Sequence, residues 1–366
     1  MTVKSIKIEN FRNISEINIL PSDGVNVIHG ENAQGKTNIL EAMWLFTGCK
    51  SFRGAKDRDF IKFGEKSFKN EIVFADGTRE KKASIYLGEG KKVTLNGVEL
   101  SSTSELIGNF CAVVFSPSQL SLVKDGPLER RKFLDVALCQ LKPKYAEYLK
   151  SYKHALFQRN VILKDLYYST QLYDLLDSWD DCLARYAAVI IFERLKYSKL
   201  LSEKCEEIYA GISDNKESFS VSYSSFFKEE PQSIHDLYIL TFDELLKRRK
   251  EDTTFKTTSI GPHRDDLELL INKKSARSFA SQGQQRSAAL ALKLSEAKAV
   301  EEITGKTPIA LLDDVMSELD EKRQDYILNN INERQVFLTC CDPSQVMRMC
   351  GGKSFHIKNG AVFEDK

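Results

Sequence analysis

The sequence predicts an α/β fold in which the two ends of the chain form one domain and a largely helical lobe is inserted between them. The first 115 residues contain short apolar stretches separated by Asp-Gly and Gly-Glu-Gly turns, which predict strands. Between residues 127 and 250 apolar positions recur every three or four residues, as in helices. After residue 260 strand-like and helix-like stretches alternate again. The predicted domain therefore spans residues 1–118 and 285–366, and the inserted lobe spans residues 119–284.

The individual elements follow from local patterns. Strands are predicted at residues 3–8, 16–20, 25–28, 71–74, 83–87, 92–95, 110–115, 267–271, 309–312 and 336–339. Helices are predicted at residues 149–168, 172–211 and 321–330, and another begins near Ser281. In that helix Leu290, Leu294 and Ala297 follow i, i+4, i+7 spacing, so they are expected to face the core. Ser281 is expected to cap its N-terminus.

Composition excludes several classes of protein. The chain has 366 residues, of which 42% are hydrophobic and 29% charged, as in soluble globular proteins. No stretch reaches the roughly 18 uninterrupted apolar residues of a membrane span, and the N-terminus has no apolar signal-peptide block. The eight scattered cysteines contain no CxxC pair, which argues against zinc or disulfides and favours a reducing cytoplasm. Because the net charge is +1, nucleic-acid binding would need local basic patches.

The segment GENAQGKT, Gly30–Thr37, fits the phosphate-loop pattern GxxxxGK[ST] in full, between a predicted strand and a predicted helix. The backbone N–H groups of such a turn and the positive end of the following helix bind phosphate oxygens. Lys36 would reach the β- and γ-phosphates, and Thr37 would ligate Mg²⁺. The alternative, an ordinary glycine-containing turn, is less favoured in this context. The expected ATP contacts are Gly30, Glu31, Asn32, Ala33, Gln34, Gly35, Lys36, Thr37 and Asn38.

Two carboxylates follow the predicted strand at residues 309–312. Strand ends in open α/β sheets face the ligand crevice, and adjacent buried carboxylates need a cation or water to satisfy them. We therefore expect Asp313 to lie in the Mg²⁺ shell and Asp314 to act catalytically on the attacking water. The alternative is an acidic helix start, because acidic side chains favour first turns.

These motifs, with SQGQQ and SELD in the order in which they occur, resemble the ABC-type ATPase heads of the SMC (structural maintenance of chromosomes) group. The stretches IENFRN and KTNILEA are similar to that group as well. Residues 115–135 and the segment GPHRDDL at 261–267 resemble more narrowly the recombinational-repair ATPases of bacteria. The resemblance covers nearly the whole chain. It implies a P-loop NTPase of the ABC type with a mostly helical second lobe.

The resemblance also implies roles for particular residues. In such heads the signature motif of one subunit closes over the nucleotide of another, so ATP drives formation of a homodimer. Ser281, Gly283 and Gln284 match that motif, which is ASQGQ here instead of the usual LSGGQ. Further matched positions are Ser317, Leu319 and Asp320 in the D-loop, Arg12 near the nucleotide, and Gln119 as a contact of Mg²⁺ and water.

Two departures from the family pattern predict slow hydrolysis that acts as a switch. The second acidic residue is Asp314, one methylene shorter than the glutamate of many ABC ATPases. The strand at 336–339 continues into Cys340, Cys341 and Asp342, with no histidine where many ABC proteins have one. We expect a weak ATPase with a turnover below about 10 s⁻¹, the median enzyme value.

By the same resemblance, the expected function is ATP-dependent DNA binding in replication and recombinational repair. The implied ligands are single-strand gaps or junctions, and the implied partners are RecR- and RecO-type proteins that help to load a recombinase. A transporter subunit or another P-loop NTPase is the alternative, disfavoured by the roughly 245 positions between Lys36 and Ser281. Candidate DNA contacts are Arg130, Arg131, Lys132, Lys247, Arg248, Arg249, Lys250, Lys273, Lys274 and Arg277.

Each basic run has an alternative interpretation as a solvated helix end or loop, and charge patterning does not choose between the two. The sequence assigns no physical role to His263 and Arg264, which could equally be hydrogen-bonding groups of the core.

Overall fold

A computed structural model describes residues 1–77, 79–120, 122–165, 173–331 and 333–364, without the side chains of residues 119, 120, 345, 350 and 364. The strands are β1 (Thr2–Phe11), β2 (Ile14–Ile19), β3 (Val25–His29), β4 (Phe68–Asp76), β5 (Arg79–Leu87), β6 (Lys91–Leu95), β7 (Val98–Leu100), β8 (Ala112–Phe115), β9 (Phe219–Ser224), β10 (Asp266–Ile271), β11 (Lys274–Ser275), β12 (Ile309–Asp313), β13 (Val336–Cys340), β14 (Lys353–Lys358) and β15 (Ala361–Glu364). The helices are α1 (Lys36–Trp44), α2 (Pro117–Leu120), α3 (Pro127–Leu141), α4 (Pro143–Asp165), α5 (Tyr173–Ile212), α6 (Ile234–Lys247), α7 (Arg249–Phe255), α8 (Ala276–Phe279), α9 (Gln282–Thr304), α10 (Glu321–Ile331) and α11 (Ser344–Cys350).

The centre of the molecule is a six-stranded sheet in the order β15-β14-β3-β13-β12-β8. Its strands are parallel except for the edge strand β15, which runs antiparallel to β14. Every residue of β8, β12 and β13 is buried, as expected for parallel strands that are covered on both faces. The carboxyl ends of β3, β12 and β13 therefore meet at one edge of the sheet.

The two faces of this sheet belong to two different cores, because side chains alternate along each strand. Phe337 packs in a core with α1 and the antiparallel sheet β2-β1-β4-β5-β6-β7. Its neighbours Val336 and Leu338 face a second core with α3, α5 and α9. The protein is thus layered, and the central sheet separates the antiparallel sheet from the helices.

The helical part is organised by α5, whose 40 residues span about 60 Å at the usual rise of an α-helix. It packs against α4, α6 and α9, and against β9, which forms a small sheet with β10 and β11. Among the described residues no helix is long and apolar enough to cross a bilayer. The seven cysteines whose side chains are described are all free thiols.

Most predicted elements are confirmed within a few residues, including the two long helices and the strand before Asp313. Ser281 is the N-cap of α9, and Leu290, Leu294 and Ala297 are buried as expected. Strand β9 was not predicted, because its pairing partner β10 lies more than 40 residues later in the chain. The division into residues 1–118 with 285–366 and residues 119–284 stays a prediction, since the helical core is continuous with one face of the central sheet.

Candidate nucleotide-binding site

The phosphate loop, Gly30–Thr37, connects β3 to α1 at the carboxyl edge of the central sheet. Gly30 has a φ of 148°, and a Cβ there would lie 2.3 Å from the carbonyl oxygen of Ile357 on β14. Gly35 has a φ of 110°, and Ala33 is also left-handed at 65°. These glycines allow a turn that other residues would strain, and the turn exposes backbone N–H groups at the start of α1.

Lys36 is buried, and its ammonium lies inside the loop. Its Nζ donates to the carbonyl oxygens of Gly30 at 2.6 Å and Glu31 at 2.9 Å. It also lies 3.7 Å from Sγ of Cys341, which follows the end of β13. The described partners of this cation are neutral, so its charge is available to an anion held by the loop.

Asp313 ends β12 and contacts the loop directly. Its Oδ1 accepts hydrogen bonds from Oγ1 of Thr37 at 2.7 Å and from Oγ1 of Thr339 at 3.0 Å. Burial raises the pKa of the Asp313 carboxyl above its ordinary value, against the effect of the two hydroxyls. A hydroxyl and a carboxylate at this distance suit Mg²⁺, which takes one or two protein oxygens and completes its shell with water and phosphate. The donor set therefore fits this ion.

Asp314 lies next to Asp313 in a left-handed conformation with a φ of 50°, which is uncommon for a residue with a side chain. Its backbone N–H donates to Oγ1 of Thr339 at 2.9 Å. Oγ of Ser317 donates to the Asp314 carbonyl oxygen at 2.8 Å and lies 3.3 Å from its carboxylate. The strained backbone is thus held from both sides, and the carboxylate stays partly exposed.

The other loop side chains fix the loop to its surroundings. Asn32 accepts from the Cys341 thiol at 3.2 Å, and the side chain of Gln34 accepts from the backbone N–H of Asn359 at 2.6 Å. Asn13 donates to the carbonyl oxygen of Ala33 at 2.9 Å and accepts from Asn38 at 2.8 Å. These bonds hold the loop before any ligand binds.

The signature turn, Ser281–Gln284, begins α9 with a reciprocal cap. Oγ of Ser281 accepts from the backbone N–H of Gln284 at 3.3 Å, and Oε1 of Gln284 accepts from the Ser281 N–H at 2.8 Å. Gln284 also donates to Glu217, in the turn after α5, at 2.6 Å. Ser281 is exposed at the positive end of a 23-residue helix, which is a suitable place to bind phosphate oxygens.

Comparison with known proteins places this chain in a family. The family model of the RecF/RecN/SMC N-terminal domain matches residues 2–359. The DNA replication and repair protein RecF of Agathobacter rectalis is 40% identical over 366 residues, which cover 99% of both chains. That of Clostridium tetani is 38% identical over 369 residues and covers all of both chains. The chain belongs to the RecF family of DNA replication and repair proteins.

Solved structures agree with this family and with its fold. A structure of the recombination mediator protein RecF with ATP in the RecFOR pathway is 37% identical, with a TM-score of 0.92 over 100% of this chain and 98% of that one. The Smc head domain of Pyrococcus furiosus, at 17% identity and a TM-score of 0.55, shares the fold. The predicted fold class, an ABC-type P-loop head of the SMC kind, is confirmed.

Several predicted site residues of this RecF-family chain have other partners in the structure. Arg12, expected near the nucleotide, donates to Glu41 at 2.6 Å and 3.1 Å and lies over the ring of Phe60. Glu41 on α1 is fully buried and also accepts from Ser51. Arg12 therefore stabilises α1 through its contact with Glu41. Its contact with nucleotide stays a prediction. The side chain of Gln119 lies outside the described residues.

Two candidate DNA contacts, Arg130 and Arg131, have partners within the protein. The Arg130 side chain is 5% exposed, and its guanidinium donates to both carboxylate oxygens of Asp266. Arg131 donates to the carbonyl oxygen of Asp265 at 2.8 Å, and burial lowers its pKa from the ordinary value. Both arginines hold the start of β10 against α3, and their contact with DNA stays a prediction.

The basic run at residues 247–250 contains both internally paired and exposed side chains. Arg249 is paired with Asp180 and Asp177 on α5, and Arg248 donates to Glu244 within α6 at 2.7 Å. Lys247 is exposed, with its nearest carboxylate, Glu244, at 3.9 Å. Only part of this run can therefore contact DNA without breaking internal pairs. The exposed candidates are Lys132, Lys247, Lys250, Lys273, Lys274 and Arg277.

The segment GPHRDDL is a hub of internal hydrogen bonds. His263 bonds to the Tyr152 hydroxyl at 2.5 Å and to the Thr258 carbonyl oxygen at 3.1 Å. Arg264 donates to the same carbonyl, and the Asp265 carboxylate accepts from Tyr223 and Ser225. The structure therefore supports the interpretation of His263 as a hydrogen-bonding group of the core.

Sequence reasoning assigned no contact to Asn13, Thr339 and Cys341, which bond to the phosphate loop or to Asp313. Asn13 lies in the quoted stretch IENFRN, and Thr339 lies at the end of a predicted strand. A polar residue at a strand end beside the phosphate loop was the available signal for Thr339, because parallel strand ends meet at one edge.

Proposed function

We propose that this chain is an ATP-dependent DNA-binding protein of recombinational repair that dimerises when it binds ATP and hydrolyses it slowly. The contact between Thr37 on α1 and Asp313 on β12 carries the proposal. It brings the phosphate loop and the acidic strand end, which are 276 residues apart in sequence, into one cradle. The solved structure of RecF with ATP, at 37% identity, supports ATP as the nucleotide.

The chain's own residues have separable roles in this cradle. The backbone N–H groups of the phosphate loop and Lys36 bind the phosphates of ATP. Thr37 and Asp313 would hold Mg²⁺, which would supply positive charge to neutralise the phosphates. Asp314 orients the attacking water and accepts its proton. Its short side chain and the Cys341 thiol, in place of glutamate and histidine, agree with slow turnover.

Ser281 and Gly283 complete the site from a second subunit. Because each ATP then contacts two subunits, ATP binding and dimerisation are thermodynamically linked. The exposed Ser281 hydroxyl and the N-terminus of α9 supply donors that a γ-phosphate needs. A transporter subunit is not supported, since the family model that matches residues 2–359 is that of RecF, RecN and SMC.

The DNA contact is expected to be independent of sequence and to use the exposed cations. Such contacts release counterions from the phosphate backbone, so affinity should fall steeply with salt. Gaps or single-strand–duplex junctions are the proposed DNA, and RecR- and RecO-type proteins are the proposed partners. The related RecF structure is described as part of the RecFOR pathway, which supports those partners.

The test measures the molecular mass of the protein by size-exclusion chromatography with light scattering, with and without ATP-Mg²⁺ and gapped DNA. Wild-type protein should become a dimer on ATP, while Lys36→Met and Ser281→Arg should stay monomeric. Ser102→Arg, which changes an exposed serine on the antiparallel-sheet side, is the control and should behave as wild type. A dimer that forms without ATP and survives Ser281→Arg would refute the two-subunit site.

A further inference from the structure

The signature turn lies against the segment Ser317–Asp320, here called the D-loop segment, within the same subunit. Two arginines connect them. Arg286 on α9 donates to the carbonyl oxygen of Glu318 at 2.6 Å and to its carboxylate at 3.0 Å. Arg323 on α10 donates to the carbonyl oxygen of Gly283 at 3.0 Å and to Oγ of Ser287 at 2.9 Å, and it is also paired with Asp320.

Gly283 lies close to the guanidinium of Arg323. Its φ lies outside the left-handed region, so the backbone of α9 does not require glycine at this position. A Cβ at residue 283 would instead lie 3.3 Å from Nη2 of Arg323. This separation is tighter than ordinary van der Waals contact. The absence of a side chain therefore leaves room for the guanidinium against the signature turn.

The D-loop segment is also held from its inner side. The buried side chain of Gln324 donates to the carbonyl oxygens of Met316 at 2.6 Å and Leu319 at 3.0 Å. Ser317 in this segment bonds to Asp314, the proposed catalytic carboxylate. Hydrogen bonds thus join the signature turn to Asp320 through Arg323, and join Ser317 to Asp314, with the short backbone of the D-loop segment between them.

Arg323 is costly to place here, which argues that the position matters. Burial lowers its pKa from the ordinary value, and the neighbouring positive charge of Arg286 acts in the same direction. The carboxylate of Glu217 acts in the opposite direction. An arginine can bridge three acceptors in a fixed plane, whereas a lysine presents a single point charge.

We propose that Arg323, assisted by Arg286, is a positioning residue that holds the signature turn and the D-loop segment as one rigid surface against the nucleotide of the partner subunit. Engagement of that nucleotide by Ser281 and Gly283 therefore depends on Arg323, while the cradle of the subunit that carries Arg323 is left intact. This inference rests on the proposed two-subunit site.

The test is subunit complementation of ATP hydrolysis. Arg323→Ala has an intact phosphate loop and Asp314 but a loosened signature turn. Asp314→Asn has an intact signature turn but cannot hydrolyse ATP in its own cradle. A mixed dimer of the two contains one intact composite site. Each homodimer should be at least about 10-fold slower than wild type, whereas an equal mixture should recover about a quarter of wild-type turnover, from random pairing into twofold dimers.

Three further measurements make the outcome decisive. Lys322→Ala removes an adjacent exposed cation on α10, paired with Asp214, and should hydrolyse ATP as wild type does. The dissociation constant of fluorescent ATP for monomeric Arg323→Ala should stay within about twofold of wild type, because its own cradle is untouched. Arg286→Ala, at a half-exposed side chain, should show the same complementation if Arg323→Ala fails to fold.

The control for the composite site is the mixture of Ser281→Arg with Asp314→Asn, which must also recover activity. If that mixture recovers and neither arginine variant does, the arginines do not act through the signature turn and the inference is wrong. If the Ser281→Arg mixture fails as well, the two-subunit site itself is wrong. Weakened ATP binding by the Arg323→Ala monomer would likewise refute a role confined to the partner's nucleotide.

Discussion

The nucleotide cradle and the helical lobe both contain buried charged side chains, but they satisfy them differently. In the cradle, Lys36 donates to backbone carbonyls and Asp313 accepts from two hydroxyls. In the helical lobe, Arg159 is completely buried between the carboxylates of Asp180 and Asp252. The charged groups of the cradle therefore have uncharged partners and remain available to a ligand, whereas the charges of the lobe are paired with one another.

This difference shows how to separate functional from structural charges in a related chain. A buried charge with neutral partners has a desolvation cost that interactions within the protein do not fully offset. A bound ligand of opposite charge can offset the remainder. A buried charge with an opposite partner is already compensated. Arg130 with Asp266 and Arg194 with Asp135 follow the second pattern, and both join elements that are distant in sequence.

The largest effect should come from breaking the pairs around Arg159. Arg159→Met leaves Asp180 and Asp252 buried without their shared cation and should lower the free energy of unfolding by about 3–5 kcal/mol. Urea denaturation followed by circular dichroism measures it. The matched control is Arg185→Met, an exposed arginine paired with Asp181 on the same helix, which should cost less than about 1 kcal/mol. Equal losses from the two variants would contradict the distinction.

A substitution in the nucleotide cradle should change the rate of ATP hydrolysis and leave the free energy of unfolding unchanged. Asp314→Asn removes the proposed proton acceptor and should slow hydrolysis by about 100-fold, or nearly 3 kcal/mol in the barrier. The ATP-dependent dimer and the unfolding free energy should be retained. Turnover by phosphate release, measured beside the control Asp325→Asn at an exposed site on α10, tests this. A variant that hydrolyses normally would exclude Asp314 from the reaction.

The separate parts of the cradle were predictable from sequence because each part is a local pattern. Gly30, Gly35 and Lys36 lie in one loop, and Asp313 ends an apolar strand, so spacing alone indicated their roles. The internal partners of the candidate DNA contacts were not predictable, because they depend on long-range pairing. Arg130 meets Asp266, which is 136 residues later, and no local pattern distinguishes that arginine from a solvated one. Strand β9 was missed for the same reason, because its partner lies beyond a predicted helical region.

The hub at GPHRDDL should make the free energy of unfolding depend on pH. Burial lowers the pKa of His263 from 6.5 to about 4, with Arg264, Arg131, Asp252 and Tyr152 as its charged or titratable neighbours. Because the folded pKa is depressed, the stability from neutral His263 is present above pH 6.5 and is lost as pH falls through about 4.

Between pH 7 and 4, His263→Gln should therefore lose less unfolding free energy than wild type, by on the order of 2 kcal/mol after allowance for partial exposure.

The contribution of Asp265 to the free energy of unfolding changes with pH in the opposite direction. Burial raises its pKa from 3.8 to about 6, so its contribution is present below pH 3.8 and is lost as pH rises through about 6. Asp265→Asn should steepen the loss on acidification. Parallel pH profiles for wild type and both variants would show that these groups do not titrate as described.

The smallest predicted effect is on DNA binding, and it compares an exposed lysine with an internally paired arginine in the basic run at residues 247–250. The side chain of Lys247 is 72% exposed and only loosely paired with Glu244, whereas Arg249 is paired with two carboxylates of α5. If Lys247 contacts a DNA phosphate, Lys247→Ala should weaken binding to gapped DNA by less than about 10-fold and reduce the salt slope by about one. The control is Lys4→Ala, which removes a lysine of the antiparallel sheet that is paired with Asp23.

Arg249→Ala should lower the unfolding free energy and leave the salt slope unchanged, because the Arg249 side chain is already paired with carboxylates within the protein. A reduced slope for Arg249→Ala with none for Lys247→Ala would reverse the assignment and show that internal pairing does not exclude an arginine from DNA.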